Sequence, residues 1–124
     1  MASERFSKIR RVRRRGEFQR VFDLSLRTKG RYLTVLIAPN EAGTLRLGIV
    51  ASRKLGDAVR RNRAKRLIRE VFRRCDFSGR RGMDVVVIPR RELFDAAFAD
   101  FEADFRIALK RSAARLPASA DVAS

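Results

Sequence analysis

The chain has 124 residues, which suits one compact domain, and its 45% hydrophobic content excludes a wholly disordered protein. Its 30 Lys and Arg against 14 Asp and Glu give a formal charge of +16, so self-repulsion opposes compaction unless a polyanion binds. The single cysteine, Cys75, excludes an internal disulfide and a Cys-based zinc site, and no apolar run approaches the roughly 20 residues of a membrane span.

The basic composition indicates the class of partner. Nucleic acid is the first candidate, because neutralising phosphates releases counterions, and an anionic membrane surface is the second. Most of the basic residues are Arg, whose planar fork matches phosphate oxygens and stacks on bases, which favours nucleic acid. A lone cysteine fits a reducing compartment, and no signal-peptide pattern follows the N-terminus. The composition therefore predicts a cytoplasmic protein that binds nucleic acid.

The first half of the chain predicts a basic arm, a helix and two strands. The arm, residues 1–15, is rich in Arg, and we expect its anionic partner to order it. A helix is predicted from residue 17, because apolar and small residues recur at helical spacing: Phe18, Val21, Phe22, Ser25 and Leu26. Residues 32–38 are rich in β-branched side chains and residues 45–51 alternate in polarity, so the turn between them predicts a hairpin.

The second half predicts a helix, a strand and a helix. Asp57 is a suitable N-cap for a long helix running to about Cys75, since apolar residues keep helical spacing throughout it. Residues 83–88 form an apolar strand, and Phe98, Phe101 and Phe105 begin the apolar face of a last helix. The order α-β-β-α-β-α predicts an α+β sandwich, a small sheet packed by helices, over residues 16–116, with a flexible tail at residues 117–124. If the strands flanking the long helix are parallel neighbours, their crossover is usually right-handed.

Residues 53–74, RKLGDAVRRNRAKRLIREVFRR, concentrate the charge. Ten of them are basic and two are acidic, a net charge of +8. The basic ones are Arg53, Lys54, Arg60, Arg61, Arg63, Lys65, Arg66, Arg69, Arg73 and Arg74. On a helix, Asn62, Arg66, Arg69 and Arg73 lie along one strip and the apolar stripe lies opposite. The helix can therefore dock on a sheet and still face a phosphate backbone, although a merely solvated cationic face is the alternative.

The order of residues in this segment resembles the RNR segment of the bacterial ribonuclease P protein family. The resemblance rests on Arg61-Asn62-Arg63 with AKRLIRE after it and KLGDAV before it. Upstream, GEFQRVF at residues 16–22 resembles the family's first helix, and residues 45–52 leading into Arg53-Lys54 resemble its central strand. The match extends over roughly residues 10–90.

The resemblance implies a fold, an activity and partners. The family fold is an α/β sandwich with a left-handed crossover around the RNR helix, against the usual hand. Its members bind a large catalytic RNA and the 5′ leader of precursor tRNA, and the RNA performs the Mg²⁺-dependent cleavage that matures the tRNA 5′ end. The implied partners are thus ribonuclease P RNA and precursor tRNA, with no membrane and no small-molecule substrate. No catalytic or metal-binding residue is expected in the chain, and Mg²⁺ would belong to the RNA.

The resemblance also assigns site residues. Contacts with the catalytic RNA are expected from Arg61, Asn62, Arg63, Lys65, Arg66 and Arg69, flanked by Arg53, Lys54, Arg60 and Arg73. Phe18 and Phe22 match aromatics that line the family's leader cleft, although packing in the core is an equal alternative for both. The family often has an aromatic near Leu36, which is aliphatic here, and Tyr32 is the nearest aromatic. Tyr32 and Leu36 complete the predicted cleft.

Two other functions are conceivable for a chain of this composition. A protein-only nuclease needs a general base or metal-binding carboxylates, but the chain has no His. Its densest acidic group, Asp95, Asp100, Glu102 and Asp104, is predicted to be a solvated side of the last helix. A ribosomal or other structural RNA-binding protein shares the size and charge but has no reason to carry the RNR arrangement. Cys75 ends the apolar stripe and is predicted to be a small core residue.

Overall fold

The computed structural model describes residues 10–12, 15–24, 26–40, 43–75 and 82–115. The rest of the predicted arm, residues 1–9 and 13–14, lies outside the described residues, as do Ser25 and the predicted tail. Within the described residues, three helices flank a mixed sheet of five strands. Its elements are β1 (Arg10–Arg11), α1 (Arg15–Leu24), β2 (Leu26–Lys29), β3 (Leu33–Pro39), β4 (Arg46–Ile49), α2 (Ala58–Arg74), β5 (Met83–Pro89) and α3 (Phe98–Ala114). The predicted α+β class is confirmed.

The strand β5 occupies the centre of the sheet, whose order is β1-β4-β5-β3-β2. It pairs in parallel with β4 and antiparallel with β3. The predicted hairpin of residues 32–38 with residues 45–51 is therefore wrong, because β5 lies between these two strands. Met83, Val85, Val86 and Val87 are all buried, and an apolar strand covered on both faces is most stable in the middle of a sheet.

The first helix ends earlier than its apolar spacing predicts. α1 stops at Leu24, and Leu26 begins β2, which pairs antiparallel with β3 from Leu26↔Ile37 to Lys29↔Thr34. The predicted position of Leu26 on the helix is wrong. β5 pairs with the backbone groups on one edge of β3, and β2 supplies hydrogen-bonding partners for the backbone groups on the other edge.

The long basic helix connects two parallel neighbours in the sheet. β4 precedes α2, β5 follows it, and these strands pair from Arg46↔Asp84 to Ile49↔Val87. The chain thus crosses over through α2, as the resemblance implies, and the left hand of this crossover stays a prediction. None of the described helices is long and apolar enough to cross a membrane.

Each face of the sheet has its own apolar cluster. The first core cluster joins the sheet to α2 and α3, and its largest fully buried members are Phe72, Phe101, Phe105, Leu33, Ile37 and Ile68. The second core cluster lies under α1 and consists of Val21, Leu36, Ala38 and Val86, with Phe18 and Phe22 packed against it. Leu33, Val35 and Ile37 belong to the first cluster and Leu36 and Ala38 to the second, as alternation along β3 requires.

The apolar face of α3 is confirmed in part. Phe101, Phe105, Ala108 and Leu109 are buried, whereas Phe98, in the first turn, is 37% exposed. The Arg74 guanidinium lies 5.8 Å from the centre of the Phe98 ring, so this side chain covers the start of α3 and not the core.

The carboxylate of Asp104 attaches α3 to the turn between β2 and β3. Its two oxygens accept hydrogen bonds from the backbone N–H groups of Arg31 and Tyr32, both at 2.9 Å. Gly30 makes room for this carboxylate, because a Cβ at that position would lie 2.7 Å from Asp104 Oδ2. The predicted solvated role is therefore wrong for Asp104. Nothing in the apolar spacing of α3 indicates a carboxylate that binds a distant turn.

Replacing Asp104 by Ala should lower the free energy of unfolding by about 2 kcal/mol, because two charge-assisted hydrogen bonds are removed. Urea denaturation followed by circular dichroism measures the change. Asp95→Ala is the control, since this exposed carboxylate lies in the turn before α3 and should change stability by less than about 0.5 kcal/mol. Equal losses in the two variants would contradict the attachment.

Candidate nucleic-acid interface

The basic helix α2 is held in place by its cap and its apolar stripe. Asp57 is the N-cap, and its Oδ1 accepts the backbone N–H of Arg60 at 2.9 Å, as the sequence predicts. Ala64, Ile68, Val71 and Phe72 are completely buried against the first core cluster. Because one side of the helix is fixed in the core, the side chains opposite project away from the sheet.

The ten predicted RNA-binding residues lie together on α2 and on the short 3-10 turn before it. Arg53 and Lys54 belong to that turn, which ends at Gly56, a glycine with a φ of 144° that leads the chain into the helix. The exposed members are Arg53, Lys54, Arg60, Asn62, Arg63 and Arg66, and the half-buried ones are Arg61, Lys65, Arg69 and Arg73. Arg63, Arg66, Arg69 and Arg73 line one groove, whereas the Arg60 guanidinium lies 5.7 Å from the centre of the Phe94 ring. We call the ten side chains together the basic face.

Glu70 is the one acidic residue within α2, and its carboxylate pairs with two arginines of the same helix. Its Oε1 accepts a hydrogen bond from Arg73 at 2.9 Å and pairs with Arg74 at 2.8 Å. The hydrogen bond from Arg73 and the two positive charges hold the pKa of the Glu70 carboxyl below its usual value. Within the part of the chain that the structure describes, Arg63 and Arg66 have no carboxylate within ion-pair distance. They are therefore available for phosphate.

Arg69 is a half-buried cation that interacts with the charge of Arg11. Burial lowers the pKa of its guanidinium, and the charge of Arg11 on β1 lowers it further. Since a desolvated cation beside another cation is destabilised, a phosphate placed between them would relieve the cost. A shallow groove on this side of α2 is lined by Val59, Arg63, Arg66, Leu67, Arg69, Glu70 and Arg73. Its shape and charge suit a polynucleotide backbone.

A second candidate surface lies on the opposite side of the sheet, beside α1. Phe18 and Phe22 are both half-buried and pack against the second core cluster, to which Leu36 belongs. The Phe18 ring lies directly over Gly48 of β4, where a Cβ would come within 2.8 Å of the ring. Both rings therefore contribute to packing and keep an exposed part, so core and cleft roles are compatible. We call this surface the aromatic face.

The other two predicted cleft residues are placed differently. Leu36 lies beneath the aromatic face but is only 1% exposed, so it supports the surface without offering area for stacking. Tyr32 belongs to the first core cluster, and its ring lies 5.5 Å from the Arg31 guanidinium. The structure thus brings Phe18, Phe22 and Leu36 together and leaves Tyr32 apart from them.

Two basic residues at the edge of the aromatic face were missed by sequence reasoning. Arg27 lies opposite Leu36 in the β2–β3 register and Lys29 lies opposite Thr34, so all four share one face of the sheet. Both basic side chains are exposed. The alternation of Arg27 and Lys29 with Leu26 and Thr28 carries this signal once the segment is known to be a strand.

Cys75 follows α2 and has the predicted core role. It is 8% exposed, and its thiol donates a hydrogen bond to the Val71 carbonyl at 3.3 Å. Burial raises the pKa of the thiol, which keeps it protonated near neutral pH.

Comparison with known proteins decides the family. A family model described as Ribonuclease P matches residues 6–113, which is most of the chain. The chain belongs to the ribonuclease P protein family. The match covers both the basic face and the aromatic face, and it extends beyond the segment that carries the sequence resemblance.

Individual ribonuclease P proteins support this assignment. The ribonuclease P protein component of Thermotoga maritima is 42% identical over 91 residues, which are 73% of this chain and 78% of that protein. The same component from Clostridioides difficile is 32% identical over 108 residues, covering 86% of this chain and 95% of the relative.

Solved structures of this family have the same fold. The RNase P protein from Thermotoga maritima superposes with a TM-score of 0.71 at 38% identity, covering 82% of this chain and 96% of that one. The RNase P protein of Staphylococcus aureus gives a TM-score of 0.73 at 34% identity, covering 83% and 94%. The chain is accordingly the protein subunit of ribonuclease P, a tRNA-processing ribonucleoprotein, and a partner of ribonuclease P RNA. The alternative of a ribosomal protein gains no support from these likenesses.

Arg63 and Arg66, which are exposed and form no ion pair with another described residue, give a test of the basic face. Replacing both by Ala should weaken binding to ribonuclease P RNA and make log K less dependent on log[salt], by a slope of about 1 for each phosphate that is no longer neutralised. Filter binding across a salt series measures both quantities. Lys110→Ala with Arg111→Ala is the matched control, because it removes the same charge from exposed positions on α3. Equal slopes for the two double variants would exclude α2 as the contact surface.

Proposed function

We propose that the chain binds the catalytic RNA through the basic face and the 5′ leader of precursor tRNA across the aromatic face, while the RNA cleaves the substrate. One observation carries this proposal: the two surfaces differ in chemistry and lie on opposite sides of one sheet. α2 packs on the first core cluster and α1 on the second. A protein with this arrangement can contact two RNA segments at once.

The basic face suits a folded RNA with a dense phosphate backbone. Its guanidinium groups project from a helix fixed by a buried stripe, so their spacing is set before the RNA arrives. Preorganised Arg side chains lose less conformational freedom on binding than a disordered basic run does. We expect Asn62 to contribute hydrogen bonds within this cationic surface.

The aromatic face suits a single-stranded segment. Unpaired bases stack on flat side chains, and each stack is worth roughly 1–3 kcal/mol. The exposed parts of Phe18 and Phe22 offer such stacking area, while Arg27 and Lys29 at the sheet edge can neutralise the phosphates of the same strand. Aromatic and cationic side chains side by side are typical of surfaces that bind single-stranded RNA.

The chain supplies few groups for cleavage chemistry. It contains no His, and several of its carboxylates hold the protein together: Asp84 is completely buried, Asp104 binds the β2–β3 turn, and Glu70 and Glu102 pair with Arg. Among the described residues, no three acidic, His or Cys side chains are grouped to hold a metal ion. We therefore assign Mg²⁺ and the cleavage step to the RNA. A cytoplasmic location fits this role.

Reconstitution tests the division of labour. At low Mg²⁺ concentration, the chain should stimulate cleavage of precursor tRNA by its cognate ribonuclease P RNA, because it neutralises phosphate repulsion between the RNA and its substrate. Protein alone should release no leader. Cleavage by the protein alone would overturn the assignment of chemistry to the RNA, and absence of stimulation would overturn the proposed assistance.

Leader binding is tested with the aromatic residues. Replacing Phe18 and Phe22 by Ala should weaken holoenzyme binding to precursor tRNA more than to mature tRNA, by roughly 1–3 kcal/mol for each stacking interaction removed. Phe98→Ala is the control, since that ring is also partly exposed but lies on α3. An equal loss of affinity for both RNAs would assign the two residues to the core alone.

A further inference from the structure

A buried carboxylate lies beneath α1, close to the aromatic face. Asp84 of β5 is completely buried, although Met83 and Val85 on either side of it are apolar core residues. The Arg46 guanidinium binds it with a two-pronged fork, Nε to Oδ1 and Nη2 to Oδ2, each at 2.6 Å. The Asn40 amide also donates to Asp84 Oδ1 at 2.6 Å. Both oxygens of the carboxylate thus accept hydrogen bonds, from Arg46 of β4 and from Asn40, which follows β3.

The third nitrogen of Arg46 reaches a different element. Its Nη1 donates to Glu17 Oε2 at 2.7 Å, so a single guanidinium connects β5 and β4 to the first turn of α1. The hydrogen bond to Asp84 raises the pKa of Arg46, although burial opposes this. Arg20, one turn further along α1, approaches Asp84 at 3.9 Å. Polar contacts therefore join α1 to the centre of the sheet.

This connection lies next to the aromatic residues. Glu17 precedes Phe18 in α1. Arg46 and Gly48 lie on the same face of β4, because they are two residues apart in a strand. Glu17 is bound to Arg46 while the Phe18 ring rests on Gly48, so two adjacent residues of α1 contact two same-face residues of β4. The rotation of α1 about its axis is thereby fixed, and Phe22, one turn later, is fixed with it.

Apolar packing contributes to that rotation through the Phe18 ring on Gly48. Among the side chains of α1 whose burial the structure describes, Val21 alone is completely buried in the second core cluster, and hydrophobic attraction has no direction. A buried ion pair adds little stability compared with an apolar pair of the same shape, but its hydrogen bonds require one geometry. The ionic connection therefore determines the orientation of α1 more than it determines whether α1 docks.

We propose that Glu17 and Arg46 are positioning residues, which hold α1 at the rotation that presents Phe18 and Phe22 to the single-stranded leader. This inference rests on the proposed function of the aromatic face. Glu17 and Arg46 act through the aromatic rings and make no contact with the RNA bases. Their loss lowers the discrimination between precursor and mature tRNA and leaves assembly with ribonuclease P RNA intact.

The test uses Glu17→Gln in the full chain, reconstituted with ribonuclease P RNA. The variant removes the charge of Glu17 but leaves the fork between Arg46 and Asp84 in place. We expect the ratio of the Kd values for mature tRNA and for precursor tRNA with a 5′ leader to fall about fivefold to tenfold. The affinity for ribonuclease P RNA and its salt dependence should stay unchanged, which a general loss of structure would not allow.

Asp23→Asn is the matched control, because it makes the same change of charge on the same helix. Asp23 is exposed and accepts a hydrogen bond from Gln19 within α1. Arg46→Lys is the second variant, since an ammonium group retains the charge but cannot bind Asp84 and Glu17 with a planar fork. It should lower the Kd ratio as Glu17→Gln does, and it keeps the proposal testable if one variant fails to fold.

The outcomes separate the two proposals. If the wild-type holoenzyme does not prefer precursor over mature tRNA, the proposed function of the aromatic face fails. If it does prefer the precursor, and Phe18→Ala with Phe22→Ala removes that preference, the aromatic face is supported. In that case, the positioning role is overturned if Glu17→Gln or Arg46→Lys has the same ratio of Kd values for mature and precursor tRNA as the wild type.

Discussion

The central strand β5 is the constraint on which the rest of the structure depends. Apart from Asp84 it carries buried apolar side chains on both faces, so it is stable only with a layer of side chains above and below it. Its parallel pairing with β4 requires a crossover, and α2 provides both that connection and the cover for one face. The short helix α1 is left to cover the other face. The basic and aromatic faces are separated by the sheet for this reason.

The protein reconciles its charge of +16 with a folded state through the positions of its few acidic residues. Three carboxylates bind groups within the protein. Asp84 binds the Arg46 guanidinium, Asp104 binds the β2–β3 turn, and Glu70 pairs with arginines in the last turn of α2. Carboxylates used in this way do not compete with phosphate for Arg63 and Arg66. The residues that stabilise the fold thus leave Arg63 and Arg66 of the basic face available to RNA.

The sequence predicts α2 almost completely, because its cap, its helical spacing and its buried stripe are all local in the chain. Strand pairing could not be predicted, since alternation shows which side chains share a face but not which strand lies beside another. The spacing of Leu26 fits α1 and so predicts a helix, whereas the open edge of β3 makes the segment a strand. The basic face was predictable from charge and order. The contact between Glu17 and Arg46 could not be predicted, because these residues lie far apart in the sequence.

The order of strands also has a consequence for how the chain folds. Apart from the β2–β3 pair, the sheet joins segments that are far apart in sequence, such as Arg10 with Arg46, Arg46 with Asp84 and Leu33 with Pro89. Each of these pairings closes a long loop before it gains any hydrogen bonds, which slows folding. The helices α1 and α2 and the β2–β3 hairpin can form early, whereas β5 takes its place only after the ribosome has passed Pro89. Synthesis from the N-terminus therefore leaves the edges of β3 and β4 without their central partner until late.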